Sequence, residues 1–141
     1  MKGWQVLALG AALVAIGGNM TNEETTAPGG DRVKRIAEAI AVAEGFGRVG
    51  AIPTVRNNPG NIRDNSLPGA PIGTYASLAA GWAALYRQVG GMLGGSGLYP
   101  RGWSLEQVAQ RYTGEARYMD WAVNVARVLG VSTKIIFSEI Q

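Results

Sequence analysis

Residues 31–47 read DRVKRIAEAIAVAEGFG, and the fold class follows from their periodicity. Val33, Ile36, Ala37 and Ile40 recur at helical spacing and define one apolar face. Asp31 suits the N-cap of such a helix, and Gly45 suits the left-handed residue that closes it. At roughly 100° per residue, with Val33 as zero, Ala37 falls near ~40°, Ile40 near about −20° and Glu44 near ~20°. Glu44 therefore continues the apolar stripe. Glu38 falls near ~140° and faces solvent. Two effects of one sign act on a carboxyl so placed: partial burial and the negative end of the helix dipole both favour the protonated form. A carboxyl protonated near neutral pH is what a general acid needs. Gly45 and Gly47 leave room beside it for a bulky ligand. Periodicity alone is equally compatible with a Glu44 that turns out to solvent or pairs with Arg48 or Arg56.

Working towards the C-terminus, residues 46–74 are rich in Gly, Pro and Asn, with short apolar pieces around Ile62 and Ile72–Tyr75. At most a small hairpin fits there. Ser77 opens a second helix with Leu78, Trp82, Leu85 and Val89 on one stripe, and GGMLGGSG at 90–97 is expected to end it. Ser104-Leu-Glu-Gln107 is a capping box, followed by Val108, Ala109 and Tyr112 on the face of Leu105. A further helix carries Tyr118, Trp121, Ala122, Val125 and Leu129, and Gly130 is its expected stop. Ser132 or Thr133 is expected to cap a short last helix around Ile135, Ile136 and Ile140. The expected fold is mostly α, a single domain over residues 31–141.

Towards the N-terminus, residues 21–30 are polar, end in Pro-Gly-Gly and read as a linker. Residues 1–20 read as a hydrophobic signal or anchor segment. Their strongly apolar core, Val6 to Ile16, has about half of the ~20 residues of a spanning helix, and Trp4 and Gly17-Gly18 extend it to a marginal span. Lys2 on one side and Glu23 and Glu24 on the other place the domain outside the cytoplasm, membrane-anchored through residues 4–18. A cleaved signal peptide, with Ala15-Ile16-Gly17 as its site, is the close competitor; a buried N-terminal helix is the third reading.

Composition removes whole classes of chemistry. The chain has 141 residues, 47% hydrophobic and 16% charged, with a formal net charge of +3 and with neither Cys nor His. Disulfides, thiol nucleophiles, thiolate or imidazole metal sites and Ser-His-Asp machinery are excluded. Carboxylates, Tyr, Lys, Arg, hydroxyls and backbone groups remain, and neither metal nor cofactor is expected. Arg32, Lys34 and Arg35 cluster, but acids are interspersed and no helix has a purely basic face, so nucleic acid is not an expected partner. The Gly-rich 90–97 stretch lacks the Lys of a phosphate-binding loop.

The loop after Glu44 holds Asn57-Asn-Pro-Gly-Asn61, three carboxamides in five residues. Such groups hydrogen-bond sugar hydroxyls and N-acetyl groups; they equally make local turns.

Ala43-Glu44-Gly-Phe46, then Arg56-Asn-Asn-Pro-Gly-Asn-Ile-Arg63 a dozen residues on, resembles the lysozyme-like domains of bacteriophages and some bacteria, which are related to lytic transglycosylases and goose-type lysozyme. Tyr75-Ala-Ser77 with Gly81, Trp103-Ser-Leu-Glu-Gln-Val108, Gln110-Arg-Tyr-Thr-Gly114 and Tyr118 to Gly130 are similar to later segments of that family. The likeness covers about residues 35–131. It departs from the family pattern where Gly45 replaces a Ser and Thr113 an Asn. The resemblance implies a lysozyme-like α+β fold with at most a small hairpin. It implies cleavage of the β-1,4 bond between N-acetylmuramic acid and N-acetylglucosamine in peptidoglycan, as in phage lysis, host penetration or wall remodelling. It makes Glu44 the catalytic acid/base and Asn58 and Asn61 the lining of the substrate site. Tyr75, Tyr112 and Tyr118 then contact glycan or hold Glu44. Asp64 is the first candidate for a second carboxylate and Glu115 the next. With one carboxylate alone, the expected route is the lytic-transglycosylase one, which gives a 1,6-anhydro product. The alternative is a catalytically inactive lysozyme-like structural or glycan-binding component, such as one of a virion. The sequence leaves the oligomeric state open.

Overall fold

The computed structural model describes residues 29–141. The expected signal or anchor segment at 1–20, and the linker up to residue 28, lie outside these residues. Among the described residues no helix is long and apolar enough to cross a membrane.

The first helix, α1, spans Gly30–Glu44 and buries Ile36, Ala37, Ala39, Ile40 and Ala41. Its start corrects one expectation. Gly29, not Asp31, is the N-cap. Gly29 accepts the first helical bond, from Val33 N–H at 3.0 Å, so Asp31 falls inside the first turn. Its charge there complements the helix dipole instead of capping it. Gly45 closes α1 in the left-handed conformation, φ 88°, as its lack of Cβ allows.

A second correction concerns residues 46–74. They contain one helical turn, α2, at Ile52–Val55, with Pro53 in its first turn and buried. Proline at the start of a helix forfeits no hydrogen bond, which is why a Pro-containing stretch can still turn helically. The hairpin reduces to a single antiparallel bridge between Arg63 and Ile72, flanked by bonds from Asp64 N–H to Pro71 O and Gly73 N–H to Ile62 O.

The helix α3 spans Leu78–Leu93, with the Ser77 hydroxyl accepting from Ala80 N–H at 3.1 Å. It runs through Gly90-Gly91, where an end was expected. Each Gly costs a helix about 1 kcal/mol, but burying a Met side chain returns about 2 kcal/mol. Met92, 2% exposed, sits in the core, and α3 stops only at Gly94.

The helix α4 spans Leu105–Thr113, with both halves of the Ser104/Gln107 capping box formed, and α5 spans Tyr118–Leu129. The expected last helix is instead a 3-10 turn at Phe137–Glu139. The Ser132 hydroxyl makes a local turn with Lys134 N–H, and the Thr133 hydroxyl donates to Glu106, so neither caps a helix.

α1 packs on α5 and α3, and α4 packs on α5. Ile36, Ile40, Leu85, Val89, Leu105, Val108, Trp121, Val125, Phe137 and Ile140 form one core. The architecture is mostly helical with no sheet among the described residues. Arg32 fixes the C-terminus by donating to the carbonyls of Ser138 and Ile140, which removes one member of the basic cluster from solvent recognition.

One close approach joins the helices to the Asn-rich loop. A Cβ at Gly81 of α3 would lie 1.8 Å from the Asn57 carbonyl oxygen. Backbone cannot yield as a side chain can. Gly81→Ala should therefore destabilise the fold by at least about 2 kcal/mol, a Tm loss on the order of 10 °C by calorimetry. Gly90→Ala, which meets nothing within 4 Å, should raise Tm slightly.

Candidate active site

Glu44 is the last residue of α1, one step before the chain reverses. Phe46 N–H bonds back to Ala41 O at 2.9 Å, so the helix end is capped by its own backbone. The Glu44 carboxyl packs towards α5, where Trp121 Nε1–H donates to Oε2 at 2.8 Å. No salt bridge reaches Glu44 among the described residues. Arg56 donates instead to Ile72 O at 2.6 Å, and Arg48 folds over Gly45. Burial raises the Glu44 pKa from 4.5 to about 7. The Trp121 bond, the Asn61 carboxamide and Arg63 pull it down, Glu115 pushes it up, and burial prevails.

Tyr112 of α4 stacks on Trp121, centroids 5.0 Å apart and planes 28° from parallel. Its hydroxyl donates to Gly60 O at 2.6 Å. A Cβ on Gly60 would lie 2.9 Å from that hydroxyl and 2.7 Å from Leu85 Cδ1, so a side chain there would push on α3 and α4 as the loop closes. Asn57 and Asn61 both adopt positive φ, 51° and 52°, a region that Asn tolerates better than most side chains.

A groove of about 900 Å³ opens beside Glu44, lined among others by Asn61, Arg63, Arg111, Tyr112 and Glu115. Its size is at the upper end for a ligand site. Asn61 Oδ1 is buried in its wall and has no hydrogen-bond partner among the described residues. Of the residues predicted from sequence, Glu44, Asn61, Tyr112 and the second-ranked carboxylate Glu115 meet here. Asn58 does not. It is 0% exposed, its Nδ2 donates to Ile62 O and Gly73 O, and its Oδ1 accepts from Ile62 N–H. Its carboxamide is fully engaged in folding the loop, so its expected role as substrate lining is corrected to a structural one.

Three other expectations are also displaced. Asp64 lies outside the groove lining; its carboxylate binds Ser66 N–H and hydroxyl, which lower its pKa. The carboxylates that line the groove with Glu44 are Glu115 and Asp120, and Asp120 is paired with Arg117 at 2.5 Å. Tyr75 and Tyr118 do not line the groove. Tyr75 is held through its backbone to Arg56 and Asn57, and Tyr118 packs against the core. The residue the periodicity missed is Trp121. It belongs to the apolar stripe of α5, but a buried indole N–H needs an acceptor, and that need was the available signal. No group of three acidic side chains converges to hold a metal among the described residues.

No family model, curated protein or solved structure matches this chain.

The buried carboxyl makes stability depend on pH. Below about 4.5 Glu44 is protonated folded and unfolded. Between 4.5 and about 7 only the folded state keeps the proton. Stability therefore falls as pH rises through that window, by on the order of 3 kcal/mol, and is level above it. Glu44→Gln cannot ionise. Its Tm should match wild type near pH 4 and exceed it at pH 8.

Proposed function

We propose that this chain cleaves the β-1,4 bond between N-acetylmuramic acid and N-acetylglucosamine in peptidoglycan, with Glu44 as the single acid/base. The observation that carries this reading is a carboxyl with a pKa of about 7, half out of water, beside a groove of about 900 Å³. The likeness of Glu44-Gly-Phe46 and Asn57–Arg63 to the lysozyme-like and lytic-transglycosylase domains supports it, and the mostly helical fold is compatible with that superfamily.

Protonated Glu44 gives its proton to the glycosidic oxygen as the C1–O bond breaks, and positive charge develops at C1. The resulting carboxylate takes the proton from the muramoyl 6-hydroxyl, whose oxygen bonds to C1. The ring closes to a 1,6-anhydro end, Glu44 is protonated again and no water is consumed. A pKa near the working pH suits both halves of this cycle. An apolar N-terminal run would hold or deliver the domain on the side of the membrane where the wall lies.

A second reading has its own observation. Glu115 lines the same groove and carries a negative charge that Glu44 senses. A two-carboxylate hydrolase would use Glu115 to assist water.

Glu44→Gln should lower solubilisation of purified cell walls by at least ~100-fold, since it removes the proton and little else. Clearing at the wild-type rate would end the assignment. Mass spectrometry of the wild-type products separates the two chemistries, because anhydro ends support transglycosylation and reducing ends require hydrolysis.

A further inference from the structure

The two oxygens of Glu44 are not equivalent. Oε2 accepts the Trp121 indole N–H. An indole N–H donates only, so it can face the bare oxygen of a carboxylic acid but cannot accept the acid's hydrogen. We infer that Trp121 is a positioning residue of the proposed reaction: its N–H holds Oε2 as the acceptor oxygen and leaves Oε1 to carry and deliver the proton.

The inference rests on the acid/base role proposed for Glu44. Its geometric support is the immobility of the donor. Trp121 is 6% exposed, in the core face of α5. Its ring stacks on Tyr112, whose hydroxyl is tied to Gly60 O at 2.6 Å. The carboxyl of α1 is thereby referenced through α5 and α4 to the residue just before Asn61. The same bond serves both halves of the cycle. It orients the neutral acid, and it stabilises the carboxylate that must receive the 6-hydroxyl proton. The other groups acting on this carboxyl are Asn61 and Arg63 from the loop and Glu115 from the α4–α5 connection; Arg48, Arg111 and Asp120 line the same groove, and the Tyr112 hydroxyl of α4 ionises only well above its ordinary range. Of these groups and Trp121, it is the indole that stands at 2.8 Å from one named oxygen, with its ring fixed by stacking on Tyr112.

The test uses the full chain and the variant Trp121→Phe, which keeps a ring against Tyr112 and removes the N–H. Losing a donor to the charged form raises the acid's pKa. The basic limb of the pH–rate profile on purified walls should move up by about one unit, and kcat should fall roughly ten-fold with KM nearly unchanged. In wild type, the Trp121 indole N–H signal in NMR should titrate with a midpoint near Glu44's value of about 7, and in Glu44→Gln that titration should vanish. An indole signal blind to pH in this range overturns the inference, and so does a Trp121→Phe profile lowered evenly without a shifted limb. Both results leave the acid role of Glu44 standing. If Trp121→Phe does not fold, the wild-type and Glu44→Gln titrations still decide. A wild-type chain that cleaves no wall removes the reaction, and the positioning role with it, and that is read on wild type alone.

Discussion

A carboxyl group half-buried at the end of an apolar helix stripe, held on one oxygen by the Trp121 indole N–H, is the constraint around which the described residues are arranged. Desolvation opposes its charge; the Trp121 indole N–H, the Asn61 carboxamide and Arg63 favour it, and desolvation prevails. Arg56 is engaged with Ile72 O, and Arg48, which lies against Gly45 at the rim of the groove, makes no salt bridge to Glu44 among the described residues. An arginine at hydrogen-bond distance would have depressed the pKa, as opposite charges do, and left a structural ion pair. A neutral donor at 2.8 Å instead orients the group, and burial remains the largest influence on its proton affinity. The result is a carboxyl that exchanges its proton near neutrality, with its pKa raised to about 7.

Beside that carboxyl, the Asn-rich loop packs closely against α3 and α4. The loop does so through backbone geometry more than through side-chain bulk. Gly81 admits the Asn57 carbonyl against α3, Gly60 admits the Tyr112 hydroxyl and Leu85, and Asn58 ties Ile62 to Gly73 from inside. Two asparagines take the left-handed region at either end of the motif. Asn57 and Asn58 hold the turn with their carboxamides, and Asn61 alone lines the groove. A motif that sequence chemistry reads as three sugar-binding amides is thus two parts scaffold and one part site.

The four longer helices, α1, α3, α4 and α5, were legible because each carries a regular apolar stripe, and the Glu44 angle on α1 followed from that same periodicity. What was not legible depends on contacts far apart in the chain. Trp121 sits 77 positions after Glu44, and in its own helix it is an ordinary core residue. Asn58 and Asn61 differ by burial, which identical side chains three residues apart do not announce. The continuation of α3 past Gly90-Gly91 is decided by Met92 reaching the core, and α2 by a proline placed where its missing N–H costs nothing. Asp64, adjacent to the motif in sequence, is turned away by its own bonds to Ser66. Proximity in sequence ranked it above Glu115, and the fold reverses the order.

The surroundings of the remaining carboxylates bear on which chemistry the groove favours. A nucleophile or base opposite Glu44 has to be ionised, unpaired and held in position. Asp120 is ion-paired with Arg117 on the helix surface, and Asp64 is bound within its own turn. Glu115 stands exposed just past the Gly114 cap, its backbone N–H bonded to Thr113 and its side chain without a recorded hydrogen bond among the described residues. Long side chains so placed lose entropy when they are fixed, and substrate binding must then supply the order that Glu44 already has. An intramolecular hydroxyl on the substrate needs no such ordering by the protein. Within the proposed reaction, the contrast between Glu44, held by an indole, and Glu115, exposed past the Gly114 cap, is the reason it is written as substrate-assisted closure and not as attack by water.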